Sequence, residues 1–351
     1  MQLIDRAIPA NSVVVVIGAN GFMAVETCEK LLQAGYRVRG TVRDVERHSA
    51  WMHALFDEKW PGMFDLVQVT DFEADQAFDE AFKGASGVIY PSTPILFDAD
   101  PAKVHRPMIK GVINTLEAAS RAGVKRYVLS SSSKAVHPGV FGGHYELTTD
   151  SYNYEAIEKV KAGPVENSLE RIVAVFSAGR ALQELAFWEW VATNKPSFVA
   201  NCVVPDGQFG RILDVENMNV GPSSSTGQLV SALRGDWDKC GFDLAYFTDV
   251  QDSARLLVAA LALESIKNER IFAYYVNRSW NDMRHKVKEL FPDRPELVAG
   301  HDDPTKRNET SSAPGPIARA EEILRQLGRQ GFTSEDDIIR DFVASMFPKQ
   351  E

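Results

Sequence analysis

Apolar positions along the chain fall into two alternating patterns. Strand-forming runs occur at Val13-Val14-Val15-Val16-Ile17, which is β-branched throughout, and at Arg37 to Val42, Phe64 to Val69, Gly87-Val88-Ile89-Tyr90, Arg126 to Leu129, Phe198 to Val204 and Ile271 to Val276. Such runs predict strands buried on both faces. Between them apolar residues recur at helical spacing: Val25, Leu31 and Leu32 up to Gly35; Phe78, Ala81 and Phe82; and Ile109, Val112, Ile113 and Leu116 within Lys103 to Ala122. Further on come a short helix near Glu155 to Lys161, a long one from Ile172 to Ala192, and one over Asp252 to Leu263. Asn281 is expected to cap a helix that runs to Leu290, and two closing helices cover Ile317 to Leu327 and Ser334 to Met346, the second opened by the capping sequence Ser334-Glu335-Asp336-Asp337. Alternating strand and helix signals predict an α/β fold of Rossmann type, a doubly wound and mostly parallel sheet. Residues 206–245 are rich in Gly, Ser and Asp, with one short helical stretch near Leu229 to Leu233, and residues 292–315 are expected to be loop. The expected division is a nucleotide-binding domain at 1–204 plus 245–275 and a substrate lobe at 206–244 plus 276–351.

The first of these units carries the clearest chemistry. Strand, glycine turn, helix and second strand follow one another from Val13 to Arg43, with Gly18-Ala19-Asn20-Gly21-Phe22-Met23-Ala24 as the turn. That order makes a dinucleotide-binding unit, in which the glycines admit a pyrophosphate and the helix N-terminus offers it free N–H groups. Gly18, Asn20, Gly21, Phe22 and Met23 are therefore cofactor candidates. Arg43 ends the second strand, where an acid would favour NAD and an arginine accommodates the 2′-phosphate of NADP; Asp44 follows it. Asp71 after the third strand reads either as an adenine contact or as a helix cap. Tyr90, Ser92 and Thr93 after the fourth strand, Ser130 after the fifth and Val204 at the end of the sixth lie at carboxyl strand ends, where such sheets bind ligands. The run Ser130-Ser131-Ser132-Ser133 can hydrogen-bond a substrate oxygen or simply satisfy loop backbone.

Composition narrows the partners. The 38 basic and 48 acidic residues give a net charge of -10, which disfavours nucleic acid and anionic membranes. The three cysteines, Cys28, Cys202 and Cys240, have no metal-ligand spacing, so no metal is expected, and a reduced, cytoplasmic setting is. Neither a signal-peptide core nor a membrane-length apolar run is evident.

Several phrases resemble extended short-chain dehydrogenases/reductases: the turn Gly18 to Phe22, Gly40-Thr41-Val42-Arg43-Asp44, Gly111-Val112-Ile113-Asn114-Thr115-Leu116, Tyr127-Val128-Leu129-Ser130-Ser131-Ser132 and Asn194-Lys195-Pro196. The nearest branch is that of dihydroflavonol reductases and fungal aldehyde/carbonyl reductases. The resemblance spans roughly residues 8–346 and implies a Rossmann core, a smaller C-terminal substrate lobe and NADP(H) as cofactor. That family works through a serine, a tyrosine and a lysine four residues after the tyrosine. Ser132 matches the serine. The sequence reads Phe176-Ser177-Ala178-Gly179-Arg180 where the pair belongs, so Phe176 stands at the tyrosine position and Arg180 at the lysine position. Phenylalanine has no hydroxyl to give a proton, whereas arginine can still donate to ribose hydroxyls.

Three functions follow from this. The first is an NADPH-dependent reductase of a small hydrophobic metabolite with another proton donor, candidates being Ser132, Ser133, His137, Tyr152 and Tyr154. The second is a cyclase, isomerase or lyase on the same scaffold with the cofactor structural. The third is a nucleotide-sensing protein without catalysis. Phe209, Tyr246 and Phe247 could wall the substrate pocket or merely pack. A monomer or homodimer fits each reading.

Overall fold

The computed structural model describes residues 1–351 except 2, 92–95, 164–165, 219, 222–223, 242 and 349–351. Its strands are β1 Val13–Val16, β2 Arg37–Val42, β3 Phe64–Gln68, β4 Ala85–Tyr90, β5 Arg126–Ser130, β6 Tyr145–Glu146, β7 Val199–Pro205, β8 Gly207–Phe209, β9 Tyr246–Asp249, β10 Arg270–Ala273, β11 Val276–Asn277 and β12 Ser311–Ser312. Its helices are α1 Phe22–Gln33, α2 Val45–Phe56, α3 Asp79–Phe82, α4 Pro101–Arg121, α5 Tyr154–Ala162, α6 Leu169–Asn194, α7 Ser225–Ser231, α8 Val250–Ala262, α9 Trp280–Leu290, α10 Pro314–Gln326 and α11 Glu335–Met346.

Seven strands form a parallel sheet in the order β10-β7-β5-β4-β1-β2-β3. The chain builds outward from β1 in one direction and from β4 in the other, so the order reverses between β1 and β4. This is the Rossmann-type arrangement, and ligands bind such sheets at the reversal, outside the carboxyl strand ends. The β-branched run explains the central position of β1. Val14 and Val16 face a core made with Cys28, Leu31 and Leu32 of α1 and Leu256 to Ala260 of α8. Val15 and Ile17 face the opposite core, with Val112 and Leu116 of α4 and Phe187 of α6. Both side-chain sets of one strand are thus buried, as alternation across a two-sided sheet requires.

Beyond the main sheet, β8, β9 and β11 form a three-stranded sheet, and β6 pairs with β12. Several local expectations change here. Helix α2 was not expected: the stretch after Arg43 is largely polar, but His48, Met52 and Phe56 fall four apart and bury one stripe. The run Ile271 to Val276 is not one strand, because β10 stays in the parallel sheet and β11 turns away to pair antiparallel with β9. Within 206–245 the helix is α7, ending at Ser231, and β8 precedes it. Ser279, not Asn281, caps α9: it forms a reciprocal box with Asp282, while the Asn281 amide bonds the carbonyls of Asp303 and Lys306. Ser334 caps α11 as expected. The loop at 292–315 contains a single 3₁₀ turn, Pro295–Val298, and β12.

A fully buried carboxylate holds α6 to the sheet. Glu184 accepts from Arg270 Nε of β10 at 2.6 Å, from Arg270 Nη2 at 3.1 Å and from Ser131 Oγ at 2.5 Å, and Trp188 Nε1 reaches it at 3.3 Å. Arg270 also donates to the carbonyls of Thr149 and Ser151. Removing one member of such a pair leaves the other charge buried without its counter-ion. Glu184→Ala is therefore expected to cost about 3–5 kcal/mol, read by thermal or denaturant unfolding. A second prediction concerns Asp249, the N-cap of α8, whose carboxyl is pushed up to about 6, first by burial and then by the nearby charge of Asp252. A carboxyl raised above its unfolded value favours the folded state while protonated and loses that advantage as pH climbs toward the folded value. Asp249→Asn, which keeps the capping oxygen, should therefore gain melting temperature relative to wild type at pH 8 compared with pH 4.5; an identical difference at both pH values would contradict the assignment.

Candidate active site

The turn after β1 is shaped by Gly18, whose φ of 66° lies in the left-handed region. Its N–H reaches Thr41 Oγ1 at 3.2 Å, and Ala19 N donates to the Thr41 carbonyl at 2.9 Å, so the turn is sewn onto β2. Gly40 makes this contact possible, since a Cβ there would stand 2.6 Å from the Ala19 Cβ. Gly21 is the N-cap of α1 and supplies no side-chain cap. The first N–H groups of the helix thus remain available to an anion. Phe22 and Met23 follow, half-buried at the start of the helix.

Asn20 lies 3.3 Å from His48 Nε2, and Trp51 Nε1 donates to His48 Nδ1 at 3.2 Å. An indole N–H can only donate, so Nδ1 is the acceptor and Nε2 carries the ring hydrogen. The Asn20 amide nitrogen stands against Nε2, and turning the amide over would present its oxygen as the acceptor that a protonated Nε2 requires. Burial lowers the His48 pKa, and Arg47 and Arg43 add to the effect against Asp44. Arg43 is exposed at the end of β2, and Arg47 stands one turn into α2. Asp44 is occupied as the cap of α2, accepting from Arg47 N at 3.0 Å. The acid beside Arg43 is thereby tied to the helix, and the rim carries two arginines; Arg47 and His48 belong to the helix that the sequence pattern did not reveal. Asp71 is exposed and accepts from Glu73 N at 2.8 Å, so it caps a local turn.

The other end of the crevice is built by β4, β5, β7 and α6. Tyr90 is fully buried beside Phe72, and its hydroxyl has no hydrogen-bond partner. Arg180 is 7% exposed; it donates to the Ser130 carbonyl at 3.1 Å and to Gln183 Oε1 at 2.9 Å, and its Nε is unpartnered. Arg180 and Tyr90 are electrostatic neighbours. Ser132 is half-exposed and caps the short turn Ser133–Ala135 by accepting from Lys134 N at 3.2 Å, which leaves its O–H free to donate outward. Phe176 lies against Phe97 with ring centroids 4.9 Å apart. Val204 is fully buried and its side chain packs in the core. Ser92 and Thr93 lie outside the described residues.

The serines and tyrosines near this end have distinct surroundings. Ser131 is bound to Glu184, and Ser133 donates to Asp206 Oδ1 at 2.6 Å. Tyr152 lies beneath the Arg270 guanidinium at 4.1 Å, and Tyr154 is 57% exposed. Phe209 and Phe247 are fully buried against each other, Phe209 also meeting Trp280 and Phe342, and they pack. Tyr246 instead joins a polar group that no local motif announces. Its backbone N–H donates to Asp206 Oδ2 at 3.1 Å, its hydroxyl donates to the Ser311 carbonyl at 2.9 Å, and its ring stacks on Tyr274 at 4.8 Å. Glu309 stands 3.2 Å from His137 Nδ1 and accepts from Ser311 Oγ. His137 Nε2, Tyr274 OH and Gln208 Oε1 are buried without partners. Among the described residues no His, Cys, Asp and Glu grouping could hold a metal ion, and no helix is long and apolar enough to cross a membrane.

Residues 14–156 match the model of the NAD dependent epimerase/dehydratase family. The chain is 33% identical to aldehyde reductase 2 of Sporidiobolus salmonicolor, over 98% of this chain and 99% of that protein. It is 34% identical to the ketoreductase adrE of Penicillium rubens, over 95% and 96%. Among solved structures, Gre2 of Candida albicans in complex with NADPH superposes with a TM-score of 0.80 at 20% identity, covering 95% of this chain and 98% of that one. With near-complete coverage of relatives above 30% identity, the chain belongs to the NAD dependent epimerase/dehydratase family, the extended short-chain dehydrogenases/reductases, with aldehyde reductases and ketoreductases among its relatives.

Proposed function

We propose that this protein is an NADP(H)-dependent reductase of a small hydrophobic carbonyl compound, in which the proton comes from a residue other than 176. The observation that carries the reading is a phosphate-ready turn and arginine rim joined to a site with no hydroxyl at position 176. The relatives support the reaction class: aldehyde reductase 2 and ketoreductase adrE align along nearly their whole lengths. The fold shared with the NADPH complex of Gre2 supports the cofactor. We place the chain on the branch of dihydroflavonol and fungal carbonyl reductases, and we read 1–204 plus 245–275 as the nucleotide-binding domain and the remainder as the substrate lobe.

The residues present fit this cofactor. The uncapped start of α1, with Gly18, Asn20, Gly21, Phe22 and Met23, suits the pyrophosphate. Arg43 and Arg47 suit a 2′-phosphate through charge-assisted hydrogen bonds, and Asp71 lies toward the adenine side. At the opposite end Tyr90, Ser130, the Val204 main chain and the spare Nε of Arg180 can meet the nicotinamide ribose. Bound there, the cofactor supplies a hydride. Ser132, at the matching serine position, donates its hydroxyl to the substrate oxygen and holds it where negative charge develops. Arg180 keeps its charge at all working pH values and orients rather than exchanges a proton. Phe176 adds an apolar wall with Phe97.

A second reading draws on that same wall. A pocket without a tyrosine hydroxyl also suits a cyclase, isomerase or lyase that retains the cofactor as structure, and conversion of substrate without change in NADPH absorbance would distinguish it.

Titration with NADPH, NADH and NADP⁺, read by energy transfer from tryptophan to the reduced nicotinamide, tests the cofactor. Arg43→Ala should weaken NADPH roughly 10- to 100-fold and NADH little, the range expected for a lost hydrogen bond to a charged group. Absence of nucleotide binding by the wild type would overturn the reading. Phe176→Tyr combined with Arg180→Lys should raise turnover of simple ketones at least about 10-fold, since a positioned acid is typically worth about 10²–10⁴-fold. Unchanged NADPH consumption by the double variant would show that position 176 is not where the missing donor belongs.

A further inference from the structure

We propose that Glu309 and His137 form a proton relay into the crevice: Glu309 stores the proton, the neutral imidazole passes it on, and Nε2 delivers it to the oxygen of the bound carbonyl compound. This rests on the reductase reading and names the donor that reading lacks.

The position of the ring comes first. His137 follows β5 by one short turn, Ser133–Ala135, and so lies at the same carboxyl strand end as Ser132. That turn is fixed by three hydrogen bonds, to Asp206 and Asn153. Ser133 donates to Asp206, the Asn153 amide donates to the Lys134 carbonyl at 2.9 Å, and Asn153 N donates to the Ala135 carbonyl at 2.9 Å. A ring carried by a turn held in this way is pre-positioned rather than swung in from solvent.

The second observation is the contrast between the two ring nitrogens. Nδ1 has two neighbours, each at 3.2 Å, that call for opposite states. The Gly139 N–H can only donate to a bare Nδ1, whereas an ionised Glu309 can only accept from a protonated one. Nε2 is buried and has no partner. A base held through one nitrogen by a carboxylate, with the other nitrogen free, is the arrangement of an oriented acid–base histidine.

The surroundings keep the ring neutral. The charged and titratable groups of the cluster are Lys134 on the turn, Asp206 after β7, Tyr246 in β9, Tyr274 after β10 and Glu309 before β12, with the hydroxyls of Ser133 and Ser311. Burial, with Lys134 adding to it, pushes the His137 pKa down to about 3. Burial pushes Glu309 up to about 7; Asp206 adds to this, while Ser311 and Lys134 oppose it. Near neutral pH the proton of the pair therefore sits on the carboxyl, and imidazolium is avoided.

The transfer balances without a charged ring. As hydride adds to the carbonyl carbon, the π pair moves to oxygen. That oxygen takes the proton from Nε2, and Nδ1 takes the proton of the Glu309 carboxyl. The products are an alcohol, a Glu309 carboxylate and a neutral ring protonated at Nδ1, and solvent then restores the carboxyl proton.

The test uses the full chain with ¹⁵N-labelled histidine, free of nucleotide. The chain has seven histidines, and His137→Gln identifies the signal. From pH 5 to 9 the ring should stay neutral, with its hydrogen on Nε2 below about pH 7 and on Nδ1 above it. Glu309→Gln should abolish that change of tautomer. An imidazolium signal in this range, or one tautomer throughout in the wild type, would overturn the relay. With NADPH and a panel of aldehydes and ketones, His137→Gln should lower kcat about 100-fold at unchanged NADPH affinity. Unchanged kcat would refute the relay while leaving the reductase standing. Failure of the wild type to bind NADPH would defeat the reductase reading instead, and the tautomer measurement would still decide the state of the dyad.

Discussion

The carboxylate of Glu184 is the constraint on which the crevice depends. It lies in a helix that must pass close to the sheet edge, and burying its charge requires partners in fixed directions. Those partners are the Arg270 guanidinium on β10 and the Ser131 hydroxyl just past β5. A helix held so can neither slide nor rotate without stranding the charge. Positions 176, 180 and 184 are spaced four apart and share one face of α6. Fixing Glu184 therefore also fixes where Phe176 and Arg180 stand relative to the ends of β4 and β5. The positions of Phe176 and Arg180 are thus a consequence of the ion pair that Glu184, on the same helix, makes with Arg270.

Much of this fold was legible because the sheet is buried on both sides. Continuous β-branched runs such as Val13 to Ile17 have no amphipathic alternation to blur, and the glycine turn follows without a gap. Helix α2 was hidden for the opposite reason, since its buried stripe contains a histidine, a methionine and a phenylalanine amid charged residues. The run at Ile271 to Val276 is apolar throughout, so periodicity alone could not show that it leaves one sheet at Ala273 and joins another at Val276. Asn281 and Ser279 both have the chemistry of a cap. Only backbone geometry chooses Ser279, because Asp282 then completes the reciprocal bond.

The polar cluster was legible only in fragments. His137 was visible as a histidine near the serine run, and Tyr246 as a possible wall. Glu309 lies in a stretch that reads as loop, far along the chain from His137. They meet because β12 pairs with β6 and the Tyr246 hydroxyl bonds the Ser311 carbonyl, both long-range contacts without a local signature. Arg47 was missed with the helix that carries it, whose N-cap is Asp44.

If Phe176 and Arg180 stand at the family's tyrosine and lysine positions, as proposed, the change alters the electrostatics as well as the proton inventory. A lysine beside a tyrosine stabilises phenolate and eases loss of the phenolic proton. Arg180 retains a cation, but its neighbour is now Tyr90, whose burial raises the hydroxyl's pKa far more than the guanidinium lowers it. That hydroxyl keeps its proton at working pH, so it can take part in hydrogen bonds but not act as a phenolate. The permanent charge at Arg180 is itself held by the Ser130 carbonyl and Gln183, with Nε left over. On the proposed reading, negative charge developing on a substrate oxygen would meet the Ser132 hydroxyl and a fixed cation nearby, but no exchangeable proton at position 176. The Glu309–His137 pair, past the turn that follows β5, is the group proposed above to hold and surrender that proton. On that same reading, binding and proton supply, combined in one helix by the family's usual pair, would be divided between α6 and the turn after β5.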